Sequence, residues 1–200
     1  MAAKQDYCNI RPLTHGPVPS KDLVMTFPSV IAIDGPVASG KTSVGKALAS
    51  LLDYRFVDTG MMYRACTLMA LRAGIDPEDK VNLGIMAEAT SLQFVASPDG
   101  DRLLANGEDV TDDLRTPEVQ EAVSLVAAVS EVRVAMVSEQ QHIAEDGRVI
   151  MVGRDIGTKV LPHAVKLYLD ASVAERVRRR FVEEQGTMSA EDVRANVELR

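Results

Sequence analysis

At 200 residues, with 46% hydrophobic and 26% charged residues, the chain has the composition of an ordinary globular domain and enough length to bury its own core. A formal net charge of −7 argues against nucleic acid or an anionic membrane as partner, so any basic site must be local. Two cysteines make no disulfide framework, no apolar stretch approaches membrane-spanning length, and the first residues lack the build of a signal peptide, so the expected location is the cytoplasm.

Residues 1–28 carry Pro12, Pro17, Pro19 and Pro28 without sustained periodicity and read as a tail. Ser29 to Asp34 is an apolar, β-branched run that predicts a strand. It leads directly into Gly35-Pro36-Val37-Ala38-Ser39-Gly40-Lys41-Thr42, a phosphate-binding loop of the form GxxxxGK[ST]. In such a loop the glycines let backbone N–H groups turn inward around phosphate oxygens, and the following helix adds its N-terminal partial charge. The lysine ammonium reaches the terminal phosphates. Thr42 offers a hydroxyl to Mg²⁺, and the predicted ligand is a nucleoside triphosphate. The blander alternative is a glycine-rich strand-to-helix turn that holds nothing.

The loop's helix is predicted from Lys41 to about Asp53, with Val44, Leu48, Leu51 and Leu52 at helical spacing, and a strand follows at Tyr54 to Asp58. A second helix runs from Gly60 to Gly74, with Cys66 as a core residue, and a third from Glu78 to about Thr90. Ser91 to Ala96 and Arg102 to Ala105 read as strands joined at Pro98-Asp99-Gly100, and Asn106-Gly107 as a second tight turn. Together they predict a small antiparallel insert. Thr116-Pro117 opens a helix with a capping hydroxyl and a first-turn proline, its buried face marked by Val119, Val123 and Val126. Another helix extends from Ser130 to about Glu145. Val149 to Val152 predicts a central strand covered on both faces, and Val165 to Leu169 a similar one. Ser172 to Glu175 is a capping box for an arginine-rich helix, and Ser189 to Asp192 resembles a second. Strands near 29, 54, 149 and 165, each followed by helix, predict an α/β fold on a parallel sheet.

Three further clusters fall where chemistry is expected. Asp58 to Arg64 and Gly153 to Thr158 each follow a strand and so open on the sheet's carboxyl edge, where α/β proteins bind ligands. Arg176, Arg178, Arg179 and Arg180 lie on the helix after the fourth strand. Singly, these are a helix cap, a polar turn and a solvated basic face. Around the mouth of a phosphate loop they become the guanidinium set that an acidic protein needs to hold two phosphorylated ligands together.

The segments IDGPVASGKTS, VDTGMMYRA, VTDDLRTPEV, VSLVAAVSEVR and VGRDIGTKVLP, in this order and spacing, resemble the motifs of bacterial cytidylate kinases over roughly residues 29–200. The resemblance implies a nucleoside monophosphate kinase fold with a nucleotide-binding insert at about 91–115 and a lid at about 175–200. It also implies a monomer that transfers the γ-phosphoryl group of ATP, with Mg²⁺, to CMP or dCMP. Residues 35 to 43 (Gly35, Pro36, Val37, Ala38, Ser39, Gly40, Lys41, Thr42 and Ser43) correspond to the ATP loop, with Thr42 toward the metal. Thr59 and Arg64 fall at the acceptor nucleotide, Arg64 and Arg154 at its phosphate, and Ser124, Arg133 and Asp155 at cytosine. Lys41, Arg154 and Arg200 are implied at the transferring group. Chains of the family continue with an acidic, arginine-bearing stretch and a last strand and helix, so the expectation here is a domain without them. Two other readings stay open: a kinase for another small acceptor, such as a different nucleoside monophosphate or shikimate, and a nucleotide-binding module without turnover.

Overall fold

Alternation along the central strands fixes the layering. The computed structural model describes residues 28–95, 97, 101–183 and 189–199. The sequence-predicted tail, except Pro28, and the Pro98-Asp99-Gly100 turn lie outside the described residues, as does Arg200. In chain order the elements are β1 (Val30–Asp34), α1 (Lys41–Leu52), β2 (Arg55–Asp58), α2 (Thr59–Arg72), α3 (Lys80–Ala89), β3 (Leu92–Val95), β4 (Arg102–Ala105) and β5 (Glu108–Asp109). After a short 3₁₀ turn at Thr111–Arg115 come α4 (Pro117–Val126), α5 (Ser130–Glu145), β6 (Val149–Gly153), β7 (Val165–Tyr168), α6 (Val173–Glu183) and α7 (Ala190–Leu199). The main sheet has the order β2-β6-β1-β7 with every pair parallel, and β3-β4-β5 form a small antiparallel sheet.

Successive residues of β1 and β6 serve opposite faces. Ile31, Ile33, Ile150 and Val152 point into a small core under α1, whereas Ala32, Val149 and Met151 join the larger core built with α2, α4 and α5. A strand buried on both faces cannot afford polar alternation, which is why these segments read as continuous apolar runs. Each fully buried isoleucine contributes roughly 1.5 to 3 kcal/mol.

Four expectations need correction. Helix α1 does not bury Val44 or Leu51, which is 80% exposed; it meets the sheet through Gly45 and Ala49. Small residues win here because the helix axis lies close to Phe56 and Val152. Strand β7 is exposed at Val165, Leu167 and Tyr168, since among the described residues it pairs only with β1. No α-helix separates β6 from β7; a single wide helical turn at Ile156–Val160 does so. The Thr116 hydroxyl makes no capping bond, so the entry to α4 rests on extended backbone at Thr116 and on Pro117. The Asn106-Gly107 turn matches expectation, with left-handed φ of 51° and 84° at its two residues.

A Cβ at Gly45 would lie 2.7 Å from Phe56 Cε2 and 2.8 Å from Val152 Cγ1. Replacing glycine by alanine inside a helix gains about 1 kcal/mol of propensity, but forcing α1 off the sheet costs more in a packed interface. Gly45→Ala should therefore lower stability, by about 1 to 2 kcal/mol net, as read by urea denaturation; a more stable variant would contradict this packing.

Candidate functional site at the carboxyl edge of the sheet

The phosphate loop is shaped by one close approach and two left-handed residues. A Cβ at Gly35 would lie 2.1 Å from the Leu169 carbonyl oxygen and 2.9 Å from Ser39 Oγ. Ala38 and Gly40 adopt φ of 58° and 101°, turning the chain back toward the start of α1. The Lys41 ammonium donates to the Pro36 carbonyl at 2.7 Å, across the loop's interior. Burial, and after it the Arg154 guanidinium, hold its pKa below the ordinary lysine value, while Asp58 and Asp34 pull the other way. Ser39 Oγ is buried and has no hydrogen-bond partner among the described residues.

Beside the loop, Asp58 caps α2 by accepting from Gly60 N at 2.9 Å, and its other carboxylate oxygen accepts from the Thr42 hydroxyl at 3.2 Å. Two oxygens are thus offered at one point, which suits a Mg²⁺ that takes its remaining ligands from phosphates and water. Thr59 is buried, and its hydroxyl donates to the Val152 carbonyl at 2.9 Å. One turn into α2, Arg64 folds back so that Nη1 would be 3.3 Å from a Cβ on Gly60. Arg154 stands close by: desolvation first, and the Arg64 charge second, hold its pKa below the ordinary arginine value, although the residue still reaches solvent. The Lys41, Arg64 and Arg154 charges gathered at this edge favour an anion among them.

Arg133 from α5 donates through Nη2 to Asp155 Oδ2 at 2.6 Å, both side chains about one-third exposed. Tyr63 lies near this pair, its pKa raised first by burial. Ser124 is exposed on α4. The turn that carries Arg154 and Asp155 is tied down by Asp34, whose two oxygens accept from Ile156 N and Gly157 N, each at 2.8 Å.

Helix α6 reaches the phosphate loop from outside. Arg179 Nη1 donates to the Ser39 carbonyl at 3.0 Å, and its Nε donates to Glu175 Oε1 at 2.7 Å. Glu175 also accepts twice from Arg178, so the Ser172 cap is one-sided: Glu175 N donates to Ser172 Oγ while the carboxylate serves the arginines. Sequence reasoning singled out neither Asp34 nor the Thr42–Asp58 bond, and it placed Arg179 only within a cluster. A lone aspartate at the end of an apolar strand was the available signal for Asp34.

A family model described as Cytidylate kinase matches residues 31–200 of this sequence. The chain belongs to the cytidylate kinase family. It is 52% identical over 164 residues to the cytidylate kinase of Chloroflexus aggregans, a span of 80% of this chain and 71% of that one. It is also 52% identical over 154 residues to the cytidylate kinase of Geobacillus kaustophilus, covering 76% and 69%, and 45% identical over 175 residues to that of Limosilactobacillus reuteri, covering 85% and 77%. The protein is accordingly a nucleotide-dependent kinase that phosphorylates nucleoside monophosphates, small-molecule substrates. Among the described residues no helix is long and apolar enough to cross a membrane.

The Arg178 and Arg179 bonds depress the Glu175 carboxyl to about 2. Because the folded value lies below the ordinary one, the pairing is complete above the usual carboxylate range and is lost only as pH falls through about 2. A ¹³C titration of Glu175 should give that low midpoint; an ordinary glutamate midpoint would mean that α6 does not hold this clasp in solution.

Proposed function

We propose that this kinase transfers the γ-phosphoryl group of ATP to CMP and dCMP, giving CDP and dCDP with release of ADP, as a cytoplasmic monomer. The observation that carries the reading is the Arg133–Asp155 pair, 2.6 Å apart on the same sheet edge as the phosphate loop. Cytosine presents an N4 amino donor beside acceptors at N3 and O2. A carboxylate that accepts from N4, next to a guanidinium that donates to N3 or O2, matches that edge, and Ser124 adds a hydroxyl from α4. Uracil would turn an acceptor toward Asp155.

The acceptor's phosphate is held by Arg64 and Arg154, charged forks suited to bidentate contact. Thr59, its proton committed to Val152, contributes as an acceptor only. Gly35 to Ser43 cradle the ATP phosphates, with the buried Ser39 hydroxyl as an unused donor among the described residues. Thr42 would hold a Mg²⁺ there, which would supply charge neutralisation to those phosphates when bound. The acceptor phosphate oxygen attacks the γ-phosphorus in line as the bond to ADP breaks, and Lys41, Arg154 and Arg200 neutralise the transferring group. No general base is required, because the attacking group is already an anion. The insert at about 91–115 frames the acceptor, and the segment from about 175 to 200 closes as a lid that excludes water.

Lys41→Ala should cut kcat by about a hundred- to thousandfold, on the order of 3 to 4 kcal/mol, with the fold retained by circular dichroism. Near-normal turnover would remove the loop lysine from the mechanism. For base choice, Asp155→Asn places a donor where an acceptor stood, so the ratio of kcat/KM for CMP to that for UMP should fall roughly ten- to hundredfold. An unchanged ratio, measured with AMP and shikimate as further acceptors, would sink the base-reading assignment.

A further inference from the structure

Asp34 is 7% exposed at the last position of β1, one residue before the phosphate loop begins. Its backbone pairs with Gly153, the last residue of β6, and its carbonyl accepts from Leu169 N at 2.8 Å. Its carboxylate stands near enough to Lys41 to pull that lysine's pKa upward, but its hydrogen bonds go to the turn after β6. The two carboxylate oxygens accept from Ile156 N and Gly157 N at 2.8 Å each, so the chain leaves β6 beside Asp34 and is back against it by Ile156. The residues inside that short loop are Arg154 and Asp155. The Asp155 side chain faces Arg133 and, at 3.9 Å, Lys159, and gives the wide turn that follows no N-cap. Within the turn the Asp155 carbonyl is engaged by the Thr158 and Lys159 amides and the Thr158 hydroxyl, and the side chain that holds the turn's leading amides is that of Asp34.

We infer that Asp34 is a positioning residue for the acceptor: its carboxylate sets the loop that presents Arg154 to the acceptor's phosphate and Asp155 to its base. The inference rests on the acceptor assignment proposed above. A carboxylate is suited to the task because it offers an acceptor to each of two adjacent amides, and two charge-assisted bonds fix both the height and the rotation of the loop. An amide of the same size offers one acceptor and turns an N–H₂ against the other N–H, leaving a buried donor unsatisfied. The loop then shifts, and the Arg133–Asp155 pair shifts with it. The phosphate loop on the other side is held by different contacts: the lack of a side chain at Gly35, and Arg179 on the Ser39 carbonyl.

The test is Asp34→Asn, read by the KM for CMP, the CMP to UMP ratio of kcat/KM, and the affinity for ATP measured alone by titration. The expected result is an acceptor KM raised about tenfold or more and a lowered CMP to UMP ratio, with ATP affinity changed much less. A fall in melting temperature or kcat that leaves the acceptor KM and the ratio unchanged, or equal weakening of ATP and CMP, would overturn it. Should Asp34→Asn fail to fold, Gly157→Ala decides. Its Cβ would lie 2.9 Å from Lys166 Cγ and 3.3 Å from Asp34 Oδ2, pressing on the same junction without changing charge. It should move the acceptor KM and the ratio in the same direction, and normal values would refute the inference. If the wild-type enzyme itself shows no preference for CMP over UMP, the acceptor assignment fails separately, and the KM for whichever monophosphate is used still reports whether Asp34 sets the position of Arg154.

Discussion

The first residue after β1 has no room for a side chain. At Gly35 a Cβ would fall 2.1 Å from a backbone oxygen at the end of β7, so the chain can cross there only as glycine, and only with the turn that starts the phosphate loop. That crossing fixes where Lys41 and Thr42 begin α1. Because α1 in turn lies on Phe56 and Val152 through Gly45, the position of the loop is set by contacts at both ends of one helix. The proposed acceptor side lies on the same sheet edge. Strand β6 pairs with β1 through Gly153, and the turn after it returns to Asp34. The two sites proposed above are thereby registered to one strand end, an arrangement suited to in-line transfer.

Electrostatics at this edge run against the charge of the whole protein. A chain of net charge −7 gathers Lys41, Arg64 and Arg154 closely enough that their mutual repulsion, added to burial, depresses the lysine and Arg154 pKa values. Such a group is costly without an anion among its members and favourable with one. The carboxylates Asp58 and Asp34 offset part of the repulsion at Lys41, while their own oxygens are engaged by Gly60 N and the Thr42 hydroxyl in one case and by Ile156 N and Gly157 N in the other.

The parallel sheet was legible because its central strands are buried on both faces and therefore spelled in unbroken apolar residues. The phosphate loop was legible because its chemistry constrains residue types at fixed spacing. Strand β7 was misjudged for the same reason that β6 was read well: apolar spelling reports the capacity for burial and not what covers it. Helix α1 was read by its large residues, while close approach to the sheet selected its small ones, a choice that no hydrophobic period encodes. Three-dimensional convergence was the least legible part. Arg133 and Asp155, 22 positions apart, were brought to one base only by the family resemblance, and Asp34, 122 positions from Ile156, enters the assembly only through the fold.

The hydrogen bond from Lys41 to the Pro36 carbonyl gives the ammonium a resting place inside its own loop. An incoming triphosphate does not have to recruit a disordered side chain from solvent; it has to win the lysine from a partner it already has. In the proposed ATP site, binding would exchange this bond for one to an anionic partner, and much of the rotamer entropy of a long flexible side chain is surrendered during folding rather than at each encounter with nucleotide. For an enzyme that must bind and release nucleotides on every turnover, that arrangement moderates affinity while keeping the cation in register, so the loop can let its product go.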